Sequence, residues 1–428
     1  MALGGGTYTT QNKVLPGAYF QFVALPAATA TLSDRGIVGM GIELNWGVNG
    51  AIFDVSAVEF MKDSLEIFGY AYDAPELQEL RELFAHATVL HCYNLNSGGE
   101  KAANSYGTAK HAGTRGNDLR IVVATNIDDE SKYDIDLYLG TAKVFEQTVA
   151  AMTELKDNAF VDWNTEATLN LTAGESFTGG TNGTADSLAH QNFLGKLESY
   201  PDTNIVAYTG DEDTLKGLYV SFAKRMRDEV GIKMQAVVFN KAGDSVACIN
   251  VKNQSNLVPW IAGLEAGLNV NESAANFKYD GELEVYTDYT QVQLEQALKA
   301  GEFVLHKVGT DVRVLDDINS LVNTTEEIGE VFKDNQTIRV IDSIATSIAD
   351  VFATKYIGKV KNDTSGRISL KNDIKKIFQT FEKLRAIEGF DEEKLKVELG
   401  ETKKAVAAYY EITVVNTMTK LYIKTVVG

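Results

Sequence analysis

The chain has 428 residues, of which 44% are hydrophobic and 23% are charged. This composition is typical of a globular protein and excludes wholesale disorder and collagen-like structure. The 40 basic and 59 acidic residues give a net charge of −19, which disfavours non-specific binding to nucleic acid or to anionic lipid. At about 150 residues per domain, the length predicts about three domains.

The first segment, residues 1–22, has too few apolar residues to form a core of its own. It lacks the basic and apolar regions of a signal peptide, and the chain has no run of about 18 apolar residues that would predict membrane insertion. The segment is therefore either a frayed terminus or an arm that forms a strand by pairing elsewhere. The apolar residues around its Pro-Gly turn signal are Val14, Tyr19, Phe20 and Phe22.

Strand and helix signals alternate in the next part of the chain, up to about residue 96. Apolar runs predict strands over residues 29–32, 37–44 and 88–93. A helix is predicted over residues 75–84, because a proline occupies the first position and leucines follow at helical spacing. This β-α-β order favours a parallel pair of strands.

Residues 97–177 have a different pattern, in which short apolar runs are separated by clusters of Gly, Asn and Asp. No helix is predicted between these runs, and their regular spacing indicates a small β-sandwich. The α/β pattern resumes from about residue 178, so the sandwich is predicted to be an insertion in one α/β domain. The runs are residues 119–124, 133–139, 142–149 and 167–171.

The resumed α/β pattern predicts three helices and two strands. Residues 188–197 form the first, and a second begins with acids at residues 211–213 and ends at Gly231. The third follows Leu257 and is rich in Ala and Gly, whose small side chains permit close packing. Strands are predicted over residues 204–208 and 233–239.

The last part of the chain mixes helices and strands and predicts an α+β domain. A hairpin is expected at residues 303–315, followed by amphipathic helices over residues 338–356 and 370–387. Because the chain ends on an apolar strand, it carries an aggregation risk unless something pairs with that strand. The final predicted strands are residues 395–399, 406–415 and 421–427.

No motif predicts a catalytic, cofactor or metal site. His86, His91 and Cys92 lie near one another but lack the spacing of metal ligands, so they are interpreted as structural. Cys92 and Cys248 are expected to be buried free thiols in a reducing compartment. The glycine-rich residues 178–184 lack the Lys-Ser/Thr of a P-loop and are interpreted as a turn before a helix. A hydrolase whose catalytic groups converge on the α/β core is the enzymatic alternative.

The chain contains, in this order, the segments KVLPGAYFQF, AKHAGTRGNDLRIVV, FTGGTNGT, VPWIAGLEAGLNVNESAA, RVIDSIATSIADVFATKYIGKVKND and MTKLYIKTVV. Together these segments resemble the contractile tail sheath proteins of myophages, and most of all those of phages and phage-tail-like particles of Gram-positive bacteria. The resemblance extends over most of the chain. It implies an α/β core with a β-sandwich insertion, an α+β C-terminal domain and extended N- and C-terminal strand arms.

The domain boundaries follow from the residue patterns and the resemblance together. The core is the only part built from two separate stretches. The expected parts are an N-terminal arm at 1–22, the α/β core at 23–96 and 178–300, the β-sandwich insertion at 97–177, the C-terminal α+β domain at 301–415 and a C-terminal arm strand at 416–428.

The resemblance implies a structural role without catalysis or a cofactor. Copies of such a sheath protein stack as hexameric rings in a helical array around an inner tail tube. The baseplate releases them to a shorter state that drives the tube through a cell envelope, and tail terminator proteins are further expected partners. The expected location is a virion or phage-tail-like particle, assembled in the cytoplasm of a bacterial host. A cell-surface array protein is the second alternative, but it would require export.

The resemblance also implies that strands from neighbouring subunits complete a sheet in the C-terminal domain, which places hypotheses on particular residues. Val14, Tyr19, Phe20 and Phe22 are the expected N-terminal donors, and the C-terminal donors are Leu421, Tyr422, Ile423 and Val426. The acceptor strands are expected to present Val397, Leu399, Val406, Tyr410, Ile412 and Val414. A basic helix face is expected either to contact the tube or to be solvated, and it comprises Lys375, Lys376, Lys383 and Arg385.

Overall fold

A computed structural model describes residues 35–96 and 98–427. The predicted strand at residues 29–32 lies outside the described residues. So do the expected N-terminal donors Val14, Tyr19, Phe20 and Phe22.

The first described stretch forms one end of a large sheet. Its elements are β1 (Ile37–Ile42), β2 (Ile52–Ser56), α1 (Ala57–Phe68), α2 (Gln78–Phe84) and β3 (Val89–Asn94). The sequence interpretation missed β2 and α1, although Ser56 and Glu59 form a reciprocal capping box at the start of α1. Strands β1 and β3 are parallel, as predicted, and β2 pairs with β3 in the antiparallel direction.

The inserted stretch contains strands only, apart from short 3₁₀ turns. They are β4 (Lys101–Asn104), β5 (Gly107–Ala112), β6 (Leu119–Thr125), β7 (Tyr133–Leu139), β8 (Ala142–Val149), β9 (Val161–Trp163) and β10 (Thr172–Ser176). They form a four-stranded sheet in the order β10-β6-β7-β8 and a three-stranded sheet in the order β4-β5-β9. Alternate residues of β6 and β7 are buried between these sheets. The strand predicted at residues 167–171 is wrong, because the chain first pairs with β6 at Thr172.

The chain then returns to the large sheet. Its elements are α3 (Ser187–Leu197), β11 (Ile205–Tyr208), α4 (Asp213–Arg225), β12 (Gln235–Phe239), β13 (Cys248–Val251), α5 (Val258–Gly267), α6 (Gln291–Lys299), β14 (Glu302–Phe303), β15 (Leu305–Val308) and β16 (Asp311–Val314). The seven-stranded sheet has the order β14-β13-β12-β11-β1-β3-β2. Within it, only β2 among the described strands is antiparallel to its neighbour.

Helices cover both faces of this sheet, so its strands read as nearly continuous apolar runs. Helices α2 and α5 pack on one face, and α3 and α4 pack on the other. Small residues bring α5 close to α2, because a Cβ at Gly263 would lie 2.2 Å from the carbonyl oxygen of Leu83. Since β14 pairs with β13, and Leu305 and Val314 of the β15–β16 hairpin enter the same core, the α/β core extends beyond the boundary expected at residue 300.

The remaining elements form the C-terminal domain around a separate apolar core. They are α7 (Asn335–Val351), α8 (Thr364–Lys383), β17 (Ile387–Glu388), β18 (Lys396–Leu399), β19 (Val406–Tyr409) and β20 (Thr413–Val414). The α/β core, the β-sandwich and this α+β domain confirm the predicted fold class.

Helix α8 begins and ends earlier than the predicted residues 370–387. Asp363 caps its N-terminus by accepting a hydrogen bond from the backbone N–H of Gly366. Arg385 has a φ of 58°, and its backbone N–H donates to Glu382 while that of Ala386 donates to Phe381. These two bonds form a Schellman motif, which ends the helix although the apolar spacing continues.

Candidate functional site

Among the described residues, the C-terminal tail has its last hydrogen bonds to the body of the protein at the start of α7. The side-chain amide of Asn416 donates to Asp334 Oδ1 at 2.7 Å and to Thr337 Oγ1 at 3.0 Å. The backbone N–H of Thr417 donates to Gln336 Oε1 at 3.0 Å. These groups fix the point from which the tail leaves the domain.

Beyond this point the tail lies in solvent. Its large apolar side chains are between 76% and 100% exposed. Residues 418–427 form no strand in the structure, so the strand predicted at residues 421–427 is not present within the single chain. The physical reason is that a strand requires an adjacent edge, and the described part of the chain does not bring one to the tail. The exposed residues include the expected donors Leu421, Tyr422, Ile423 and Val426.

The expected acceptor residues do not lie on one continuous sheet. Val397, Leu399 and Val406 belong to the β18–β19 pair, Val414 belongs to the β17–β20 pair, and Tyr410 and Ile412 lie outside both pairs. Strands β18 and β19 form a hairpin in which Leu399 is opposite Val406. The predicted strand 406–415 is interrupted, because β19 ends at Tyr409 and the chain next pairs at β20, against β17. Tyr410 lies at this interruption, where its ring contacts the ring of Phe378 with centroids 4.7 Å apart.

One face of the β18–β19 hairpin packs on the domain and the other faces solvent. Val397 and Val406 contact the C-terminal core, as do Tyr410, Ile412 and Val414. Leu399 shares the face of Val397 and Val406 but lies next to the hairpin turn, where it is more than half exposed. Tyr409 lies on the opposite face and is also more than half exposed. Neither outer edge of the hairpin pairs with another strand among the described residues. The hairpin therefore presents unpaired backbone donors and acceptors of the kind that accept an added strand.

The four basic residues expected on one helix face are separated in the structure. Lys376 and Lys383 lie on the exposed face of α8, whereas Lys375 is partly covered and its Nζ lies 2.5 Å from Glu392 Oε2. Lys376 is exposed, and its Nζ lies 3.8 Å from Oδ1 of Asp373, whose side chain is largely buried. Arg385 is not part of the helix, because it occupies the left-handed position after its end.

A buried cluster of charges, which the sequence analysis missed, attaches the C-terminal domain to the core. Arg339 of α7 lies 2.6 Å from Glu265 of α5 and 3.5 Å from Asp317, and all three side chains are nearly inaccessible. Burial, together with the Asp317 carboxylate, raises the pKa of Glu265 well above its usual range. Burial also lowers the pKa of Arg35 to about 9, although its guanidinium donates to the carbonyl oxygens of Glu265 and Leu268. A single acid inside an apolar helix was the sequence signal that could have indicated this cluster.

The histidine and cysteine residues form no reactive site in the described structure. His91 is buried between the carboxylates of Asp54 and Asp202, at 2.6 and 3.3 Å. Cys92 and Cys248 are buried free thiols, and burial raises the pKa of Cys248 to about 11. Residues 35–96 and 98–427 contain no group of three His, Cys, Asp or Glu side chains suited to a metal ion. No helix in these ranges is long and apolar enough to cross a membrane.

The glycine-rich residues 178–184 join the β-sandwich to the core. The side chain of Asn117 donates to and accepts from the backbone of Gly180, with both distances 2.8 Å. Thr178 and Thr181 form bridges with Ala103 and Glu100. The segment therefore pairs with the inserted domain, which the interpretation as a plain turn before α3 did not include.

Three family models match consecutive parts of the chain. The phage tail sheath β-sandwich domain matches residues 97–182, the phage tail sheath central domain matches residues 180–320, and the phage tail sheath C-terminal domain matches residues 327–428. Their order and coverage correspond to the inserted, core and C-terminal parts of the structure.

Whole-chain comparisons agree with these matches. The chain is 28% identical to the phage-like element PBSX protein XkdK of Bacillus subtilis, over 98% of this chain and 99% of that protein. A sheath tail protein from Desulfitobacterium hafniense has 32% identity and a TM-score of 0.82, over 95% of this chain and all of that one. A sheath tail protein from Listeria innocua has 28% identity and a TM-score of 0.78, over 92% of this chain and 94% of that one.

The fold is also similar to a more distant sheath. The helical sheath of the anti-feeding prophage in its contracted state has 11% identity and a TM-score of 0.58, over 97% of this chain and 99% of that one. At this identity the comparison concerns the fold alone.

Proposed function

This chain belongs to the phage tail sheath family and is a structural subunit of a contractile sheath rather than an enzyme, and we propose that its copies polymerise as stacked hexameric rings around an inner tail tube. The sheath would shorten on a signal from the baseplate and drive the tube through a cell envelope. It would end at a tail terminator protein, and its subunits would assemble in the cytoplasm of a bacterial host.

Strand exchange between neighbouring subunits is the proposed linkage. The observation that carries it is the exposed apolar tail, residues 418–427, on a subunit whose β18–β19 hairpin edges pair with no other described strand. Pairing would give each backbone hydrogen bond about 0.5–1.5 kcal/mol and would also remove apolar side chains from water. The tail supplies Leu421, Tyr422, Ile423 and Val426, and the N-terminal arm would supply Val14, Tyr19, Phe20 and Phe22.

The inner tube is the proposed partner of the basic residues at and after α8. Lys376 and Lys383 are the members that the helix exposes on one face, and Lys375 and Arg385 would contribute from the flank and the end. Exposed ion pairs are worth about 0–1 kcal/mol each and are screened by salt. Such weak contacts suit a sheath that must release its tube during contraction.

Contraction needs no nucleotide in this proposal. Its work would come from the difference in free energy between two packings of the same subunits, biased by the baseplate. Exchanged strands would keep neighbours connected while rings rotate, because the tail has no hydrogen bond to the body of its own subunit after Thr417 among the described residues.

Truncation of the tail tests the proposal. A chain ending at Thr417 keeps Asn416 and its bonds to α7, so it should fold with an unchanged circular dichroism spectrum and melting temperature. It should remain monomeric where the full chain forms tubes visible by negative-stain microscopy. A second truncation that removes residues 1–22 should behave alike. Normal sheath formation by both truncated chains would refute strand exchange.

A further inference from the structure

The C-terminal domain contains a basic cavity that the strand-exchange linkage does not use. Its volume is about 480 Å³, and it lies between the end of α7, the start of α8 and the turn of the β18–β19 hairpin. Four cationic side chains line it: Lys361, Arg367, Lys403 and Lys404. None of them forms an ion pair with a carboxylate in the described part of the chain, although the protein as a whole carries a charge of −19.

The walls of this basic cavity are fixed by hydrogen bonds. The side-chain amide of Asn362 donates to the carbonyl oxygens of Ala405 at 2.8 Å and Lys403 at 3.1 Å, which holds the hairpin turn against the start of α8. The guanidinium of Arg367 donates to the carbonyl and side-chain oxygens of Asn362. Because these groups are already ordered, a ligand would not have to organise them.

The cavity is apolar at its base. Leu370 and Tyr356 are buried there, and the phenol of Tyr356 donates to Asp373 at 2.6 Å, which leaves its ring facing the cavity. Ile357 and Val360 form an exposed apolar rim. The cavity is therefore suited to a segment that combines apolar side chains with carboxylates.

The same chain exposes such a segment, the acidic loop at residues 322–331. It carries Glu326, Glu327 and Glu330 beside the exposed side chains of Ile328 and Val331. Glu330 is paired with Lys333 at 3.0 Å, whereas Glu326 and Glu327 form no ion pair within the described residues. The charges of this loop are complementary to those of the basic cavity.

The acidic loop is held in shape before any contact. Asp244 accepts hydrogen bonds from the backbone N–H groups of Val322 at 2.7 Å and Asn323 at 2.9 Å, which fixes the base of the loop. A turn closes it, with the backbone N–H of Thr325 donating to the carbonyl oxygen of Ile328 at 2.9 Å. Binding would therefore require little further ordering of the backbone.

The acidic loop and the basic cavity lie at opposite ends of one helix. The loop immediately precedes α7, and the cavity begins where α7 ends. Since α7 has 17 residues and each adds about 1.5 Å, the two ends of the helix are about 25 Å apart. The base of the loop is held near the first end, and no residue of the loop lines the cavity of its own subunit. A contact between the loop and the cavity would therefore be head-to-tail between two copies, which is the geometry that builds rings and helical arrays.

We propose that the acidic loop of one subunit docks in the basic cavity of a neighbouring copy and forms an inter-subunit contact separate from strand exchange. The tails are poorer candidates for this cavity. Residues 418–427 carry Lys420 and Lys424, which the basic cavity would repel, and residues 1–22 contain Lys13 and no acid. The inference rests on the self-assembly proposed above but not on the exchanged strands.

Reciprocal charge reversal tests this contact in protein without tube. K403E/K404E and E326K/E327K should each lower the fraction that sediments as polymer roughly tenfold, because like charges would face each other. The combined four-site variant should recover most of the loss, since it restores opposite charges. K62E/K307E carries the same change in net charge as K403E/K404E at exposed sites elsewhere and should polymerise normally.

Failure of the four-site variant to recover would overturn the docking proposal. Loss of assembly only in the presence of tube would do so as well, because it would assign the cavity to the tube protein. A wild-type chain that does not polymerise would contradict the proposed function instead. In that case, fluorescence anisotropy with a synthetic peptide of residues 322–333 tests whether the acidic loop binds the basic cavity. The peptide should bind the full chain roughly tenfold more weakly after K403E/K404E, and equal binding would refute the contact.

Discussion

The guanidinium of Arg227 donates two hydrogen bonds of 2.7 Å to the carboxylate of Asp342 and thereby connects the turn that follows α4 to the middle of α7. Both side chains are largely buried. Together with Arg339, Glu265 and Asp317, this pair fixes the C-terminal domain against the α/β core.

We expect the removal of Arg227 to destabilise the protein strongly. Arg227→Met would leave the Asp342 carboxylate buried without its partner and should cost about 3–5 kcal/mol in free energy of unfolding. Replacement of both residues, as R227M/D342L, should recover much of this loss because no isolated charge remains. Urea unfolding followed by circular dichroism measures both effects.

The matched control is Lys241→Met, which breaks an exposed pair with Asp213 and should cost about 0–1 kcal/mol in free energy of unfolding. Equal losses of unfolding free energy in R227M and K241M would contradict the claim that the buried Arg227–Asp342 pair matters more than an exposed pair.

Asp334 should give the protein a component of stability that falls with rising pH. Burial raises its pKa from 3.8 to about 6. The folded state therefore holds the proton more tightly than the unfolded state, so the contribution to the free energy of unfolding decreases from about pH 4 to pH 6. Asp334→Asn removes the titration but keeps an oxygen for the N–H of Thr337 and for Asn416.

The measurement is the difference in free energy of unfolding between wild type and D334N at a series of pH values. It should shift in favour of the variant as the pH rises through this window and then become constant. A difference that is flat, or that shifts in favour of wild type, would show that Asp334 does not titrate as described.

Arg385 should be replaceable by glycine with a gain in stability. A non-glycine residue with a φ of 58° is in the left-handed region, which costs about 1–2 kcal/mol for a residue with a Cβ. Arg385→Gly should recover about 1 kcal/mol, measured as the free energy of unfolding. Arg385→Ala is the matched control, since it removes the same charge but keeps the Cβ, and it should give no gain. If both variants stabilise equally, charge rather than backbone strain is responsible.

Reversal of the exposed basic face of α8 should weaken assembly around the tube. K376E/K383E should lower tube-templated polymerisation several-fold, with a larger effect at low salt, because exposed charges are screened at high ionic strength. The circular dichroism spectrum should not change, since both side chains face solvent. K62E/K307E controls for net charge. Unchanged templated assembly of K376E/K383E would exclude this face as the tube contact.

Local patterns in the sequence were sufficient to predict most of the elements. The leucine spacing of α2 and the acid-rich start of α4 are properties of consecutive residues, and the structure contains both. The predicted stop at Gly231 is also present, because a π-helical turn (Met226–Val230) continues α4 and ends at that glycine in the left-handed conformation. The capping box at Ser56 and Glu59 was an equally local signal, and its omission is why α1 was missed. The β-sandwich was predictable for the same reason, because short apolar runs at regular spacing, separated by turn residues, are visible in consecutive residues.

The relationships between distant residues were decided only by the tertiary structure. Neither the parallel order of the seven-stranded sheet nor the pairing of Thr172 with Val123 is encoded in any short segment. The end of α8 depends on the backbone conformation at Arg385, which apolar spacing does not report. The ion pairs of Arg227 and Arg339 join residues that are 115 and 74 positions apart in the chain.

For the C-terminal tail, too, the sequence predicts one property and the tertiary structure decides another. Its apolar residues identify it from sequence as a segment that must be covered, because exposed apolar surface is unfavourable in water. The sequence cannot state what covers it, since a strand is completed by the edge beside it. In the described structure, Leu421 and Tyr422 remain exposed and the β18–β19 hairpin keeps its outer edges unpaired. Composition therefore indicated an apolar tail that is unfavourable to expose, and only the arrangement of α7, α8 and the hairpin in space decided that the described part of its own subunit leaves the tail uncovered.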